Sequence, residues 1–85
     1  MGQLGEGDQV RVVKLLIEGR VYVGAGASRR PPRVGDTATI LVVRRPGHPD
    51  GAYLVQKVGL GGQPMWLAGF HPEEISPAEG PGEGG

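Results

Sequence analysis

The sequence predicts a small all-β domain on three observations. Seventeen glycines and eight prolines in 85 residues argue against long helices, because an interior Gly costs about 1 kcal/mol and a Pro about 3. No window sustains apolar residues at i, i+3, i+4 and i+7 over three turns. What recurs instead is short β-branched runs between Gly/Pro punctuation, the pattern of short strands and tight turns.

The first run is DQVRVVKLLI. Val10 and Val12 alternate with Gln9 and Arg11, so one face is apolar. Val13, Leu15 and Ile17 continue on the opposite parity, which implies a β-bulge near Val12 and Val13 or a strand buried on both faces. Residues 18–36 form the longest irregular segment. Within it RVYV fits a brief strand, but GAGAS and RRPPR do not pair regularly, since Pro31 and Pro32 lack amide hydrogens and restrict the residues before them.

Gly35-Asp36 is a turn feeding a second strand over 37–44, with Ala38, Ile40 and Val42 on one face. RPGHPDG is a loop, and AYLVQKV makes strand three with Tyr53 and Val55 pointing together. GLGGQP is a hairpin loop leading into strand four, MWLAGF. Strand alternation puts Met65 and Leu67 on one face, Trp66 and Ala68 on the other. The expectation is that Leu67 and Phe70 are core, with Trp66 partly exposed or packed under the 18–36 loop. Pro72 suits the first position of a helical turn, and Glu73 and Glu74 favour a helix N-terminus. One turn of 3₁₀-helix therefore precedes a short last strand at Ile75-Ser76. Four to five short antiparallel strands, a long first loop and a 3₁₀ turn before the last strand describe a small SH3-like barrel. An OB-fold is normally longer and carries a helix that no segment here supplies.

Composition bounds the function. The expected organisation is a loosely ordered N-terminus over 1–7, a barrel over 8–76 and a disordered Gly/Pro/Glu tail over 77–85. So small a folded unit buries only about 60% of its unfolded surface, so no deep enzyme cleft is expected. With no cysteine, disulfides, thiolate zinc sites and cysteine nucleophiles are excluded. The apolar runs VVKLLI and TATILVV fall far short of the ~20 residues of a membrane helix, so no membrane partner and a cytoplasmic location are expected. Residues 1–60 hold all nine Lys and Arg against five acids, while 61–85 hold four acids and no base. That asymmetry fits either a basic face for a partner or a neutral domain with an acidic tail.

The glycine loop GAGAS lacks the Gly-Lys-Ser/Thr and the strand–helix setting of a phosphate loop, so it reads as a loop tip. His48 and His71, with Asp50, Glu73 and Glu74 near them, fall short of a closed ligand set. Ser28 and Ser76 show no signature of a nucleophile with its base. No catalytic residue, metal or cofactor is expected. Arg29, Arg30 and Arg33 flank Pro31-Pro32, Arg44 ends strand two and Arg45 follows it. If the long loop folds back beside the turn after strand two, all five form one basic patch, suited to carboxylates or phosphates. Trp66 is the candidate aromatic anchor beside it.

Three motifs carry a resemblance: Gly7-Asp8-x-Val10-Arg11-Val12, Gly35-Asp36-x-Ala38-Thr39-Ile40, and Trp66-Leu67-x-x-Phe70-x-x-Glu73-Glu74-Ile75. In these the chain, over residues 6–76, resembles the electron-transport accessory group of SH3-like barrels. That group includes the variable chain of ferredoxin–thioredoxin reductase, photosystem I reaction-centre subunit IV and the C-terminal domain of the nitrile hydratase β-subunit. The chain is also similar to small standalone bacterial proteins of unknown role. Ala38 stands where many relatives have glycine, and residues 24–28 have no counterpart. The resemblance implies a non-catalytic accessory or adaptor module that binds a partner protein, such as a redox or metalloenzyme subunit. Two alternatives are a KOW-like nucleic-acid-binding barrel and a detached β-subunit-like domain of a nitrile hydratase-type enzyme.

Overall fold

The computed structural model of the chain describes residues 4–26, 29–59 and 62–78. Five strands, β1 (Gln9–Val12), β2 (Thr37–Val43), β3 (Tyr53–Val58), β4 (Pro64–Phe70) and β5 (Ile75–Pro77), form one antiparallel sheet in the order β4-β3-β2-β1-β5. A 3₁₀ turn at Pro72–Glu74 leads into β5, where proline opens the turn as the sequence predicts. No strand ladder joins β4 to β5, so the sheet is not closed by pairing.

Alternation explains the core. Val10 and Val12, Ala38 and Ile40, Val55, Ile75, and the Trp66–Ala68–Phe70 face of β4 pack as one buried cluster. Trp66 and Phe70 lie on the same face, with ring centroids 5.4 Å apart and planes at 46°. This corrects part of the expected assignment for β4: Phe70 is core, but Leu67 is only half-buried, and Trp66 is fully buried and not partly exposed. Residues two apart on a strand share a face, so Phe70 brings Ala68 and Trp66 inward and leaves Leu67 outside.

The phase change after Val12 is neither a bulge nor a doubly buried strand. Pairing stops at Val12, and Val13, Leu15 and Leu16 enter the long loop exposed. The bulges fall elsewhere, between Ile40 and Val42 and between Lys57 and Val58. Beyond the first of them Val42 and Val43 are exposed, so the predicted apolar face of strand two ends at Ile40. RVYV contributes a single bridge, Val23 to Leu67.

At both termini the described chain contacts the sheet. Gly7 donates its N–H to the Ile40 carbonyl at 2.8 Å, and Leu4 packs on the core. Pro77, the first residue of the expected tail, belongs to β5, and Ala78 donates to the Gln9 carbonyl at 2.9 Å. The rest of the predicted tail, 79–85, lies outside the described residues, as do residues 1–3 of the N-terminus. No helix among the described residues is long and apolar enough to cross a membrane.

Candidate functional site

The feature that organises the molecule is the long loop over 13–36, which two buried carboxylates fasten at its two ends. Glu74 is fully buried at the end of the 3₁₀ turn. Its Oε2 accepts the Leu16 N–H at 2.6 Å and the Arg20 guanidinium, while Oε1 accepts the His71 N–H at 2.8 Å. The Glu74 carbonyl also accepts the Val13 N–H at 2.8 Å. Arg20 lies over the Phe70 ring, 4.2 Å from its centroid, so the cation meets a carboxylate on one side and an aromatic face on the other. Burial pushes the Glu74 carboxyl up, but the Arg20 hydrogen bond, the Leu16 and His71 amides and the Arg20 charge outweigh it, and its pKa is lowered.

Asp36 fastens the other end. Arg30 grips it with both guanidinium nitrogens, Nη1 to Oδ2 at 2.9 Å and Nη2 to Oδ1 at 2.8 Å. The Arg33 amide donates to Oδ2 at 3.0 Å, and the Trp66 indole donates to the same oxygen at 3.0 Å. Burial pushes Asp36 up, yet Arg30, the Arg33 amide and the Trp66 N–H together hold its pKa at about 2. Between these clasps the loop runs along the outer edge of β4. Val23 and Leu67 exchange N–H···O=C bonds at 3.0 and 2.7 Å, Ala25 donates to the Pro64 carbonyl at 3.0 Å, and Arg30 donates to the Met65 carbonyl at 3.3 Å. The loop thus covers an edge that would otherwise offer a template for pairing.

This arrangement divides the predicted basic patch. The loop folds onto β4 with segment 17–23 beside the turn after β2, but its arginine-bearing part, 29–33, lies toward the other end of the strand. Arg30 at the level of Met65 and Arg44 at the level of Gly69 are four residues apart along the strand, roughly 13 Å at the usual rise. Arg30 is paired with Asp36 and only partly exposed, and Trp66 is inside the core. Arg29 is exposed, with its guanidinium 5.7 Å from the Tyr22 ring centroid. Arg33 and Arg45 are exposed as well. Arg44 is half-buried at the rim of a groove.

That groove, about 450 Å³, opens between segment 17–23, the 44–50 turn and the end of β4. His48 Nδ1 accepts the Asp50 N–H at 3.1 Å and so shapes the turn. Gly69 lets the turn lie flat on β4, because a Cβ there would meet the Asp50 carbonyl oxygen at 2.0 Å. Among the described residues no three His, Asp or Glu side chains gather in a way that would hold a metal ion. Ala27 and Ser28 of the GAGAS tip lie outside the described residues, and Ser76 pairs with Arg11 in the β1–β5 ladder.

Sequence reasoning passed over Arg20 and the structural roles of Asp36 and Glu74. A signal existed for Asp36: a Trp buried by strand parity needs an acceptor for its indole N–H. Comparison with known proteins yields no match: no family model, no curated protein and no solved structure matches the chain.

Proposed function

We propose that the chain is a non-catalytic accessory module that binds another protein through the outer face of its long first loop. One observation carries this reading: the loop exposes aliphatic side chains while its backbone is fastened at both ends. Leu16, Val21, Val23 and Val34 are 54, 84, 62 and 60% exposed, on a segment held by Glu74, Asp36 and the edge of β4. Exposed apolar groups carried on a preorganised loop suit a contact surface, since little ordering entropy remains to be lost on binding. Arg29 and Arg33 border them and supply cations suited to an acidic rim on the partner.

The strand order, with β1 between β2 and β5, the long first loop and the 3₁₀ turn before β5 all support an SH3-like arrangement. With the resemblance of the three motifs, this favours the subunit of a larger redox or metalloenzyme as partner, in the cytoplasm. A nucleic-acid surface has less support, because Trp66 and Phe70 are buried and leave Tyr22 and Tyr53 as the stacking aromatics.

A photo-crosslinking amino acid at Val21, introduced in the native cell, tests the reading. The expected result is a discrete protein adduct that does not form when the same group replaces Val58, exposed on β3. A nuclease-sensitive adduct would transfer the function to nucleic acid, and equal adducts from both positions would refute a specific face.

A further inference from the structure

The groove beside Gly69 has the chemistry of a peptide site. Pairing between the loop and β4 ends at Val23–Leu67, and the next antiparallel pair, Val21 with Gly69, is not formed. Leu67 turns its N–H and C=O outward to Val23, so Gly69, two residues on, turns its own outward too. Among the described residues they meet no backbone partner. The groove opens at this vacant ladder position, with Ile17, Val21, Leu54 and Leu67 supplying apolar walls.

Arg44 stands over the same spot, its Nη2 2.7 Å from where a Gly69 Cβ would lie. Its Nε is buried without a hydrogen bond, and its guanidinium makes no side-chain hydrogen bond or ion pair among the described residues. The acids that share its surroundings are Asp50 in the groove and Glu73 in a neighbouring depression, and neither pairs with it. Its Nη atoms, unpartnered among the described residues but not buried, are the donors that an external carboxylate can reach.

We propose that this groove binds an extended acidic peptide segment of the partner. Its backbone continues the β4 edge at Gly69, its carboxylate meets Arg44, and an aliphatic side chain rests against Leu54 and Leu67. Main-chain pairing supplies affinity in such strand addition, and side-chain subsites supply selection. An isolated carboxylate would use Arg44 alone; the vacant Gly69 position and the apolar walls favour a peptide. The inference rests on the protein-binding reading of the module.

The test is titration of the isotopically labelled full chain with pentapeptides of alternating valine and glutamate, followed by amide NMR. Lysine-for-glutamate versions and butyrate serve as comparison probes. The expected result is saturable movement of the Gly69 amide with the glutamate peptide. Arg44→Gln weakens binding about tenfold, the worth of one charge-assisted hydrogen bond, and Arg44→Lys recovers part of it. Asp50→Asn tightens binding by removing a like charge. Should Arg44→Gln fail to retain the dispersion of a folded spectrum, the Asp50→Asn variant and the lysine peptides decide. Equal binding of the lysine peptides, or no Gly69 response to any peptide, overturns the proposal. Butyrate acting as strongly as the peptide overturns the peptide assignment. If the Val21 adduct forms but the groove stays silent, the groove assignment alone falls; if both fail, the protein-binding reading falls with it.

Discussion

The indole N–H of Trp66 donates to Oδ2 of Asp36 at 3.0 Å, joining the core face of β4 to the end of the long loop across 30 residues of sequence. The same carboxylate holds Arg30 and the Arg33 amide. A core aromatic and a surface loop therefore share one acceptor. Asp36→Ala leaves the Trp66 donor and Arg30 without their partner and is expected to cost about 3 kcal/mol, near the lower end for a broken buried pair because Arg30 keeps 24% side-chain exposure. Urea denaturation gives the value. Trp66→Phe should cost less in the Asp36→Ala background than alone, since the shared hydrogen bond is already gone.

Asp36 also makes acid stability predictable. Its folded pKa of about 2 lies below the ordinary 3.8, so the unfolded chain takes up the proton first. Its contribution is fully present above pH ~4 and is lost as the pH falls toward 2, with a total of about 2 kcal/mol. Glu74, lowered in the same direction, adds to the loss. Thermal melts across this range should show the midpoint falling with pH, and Asp36→Asn should flatten the slope. An unchanged slope in that variant would remove Asp36 as its source.

Glu74 is the deeper clasp, with no exposed surface. Glu74→Ala strips the acceptor from Arg20, Leu16 and His71 together and should cost about 3–5 kcal/mol, a large share of the 5–15 kcal/mol expected of a domain. Where folding survives, limited proteolysis should cut within 13–21 before any strand. Glu74→Gln keeps an oxygen for one amide and should be milder.

Gly69 tests the seat of the 44–50 turn. Gly69→Ala places a methyl carbon 2.0 Å from the Asp50 carbonyl oxygen and 2.7 Å from Arg44 Nη2, so the turn must move. Overpacking of this kind costs about 1–3 kcal/mol, and amide shifts should change at Asp50 and Gly51 before they change in β1.

Most strands were legible because alternation and turn residues are local signals. Thr37–Val43 and Pro64–Phe70 lie within a residue or so of their predicted spans, and the 3₁₀ turn follows from proline and two acids. Hydropathy misled at β4, where Leu67 outranks Ala68 as a core residue although the pleat turns Ala68 inward with Trp66 and Phe70. In β1 the apolar run continues past Val12 into loop residues that stay exposed, so periodicity alone did not mark the strand end. The clasps were hidden because each unites residues far apart in the chain: Leu16 with Glu74 over 58 residues and Asp36 with Trp66 over 30. An acid next to a turn reads as solvated until its distant partners are in place.

Quantitative capture from the native source tests whether the clasped loop is the protein-binding face proposed above. The wild-type chain is compared with Leu16→Glu/Val21→Glu, whose exposed positions leave both carboxylate clasps intact. The expected result is one protein, or one complex, enriched with the wild-type chain and depleted at least tenfold with the folded variant. The same proteins at the same yield from both chains would contradict it.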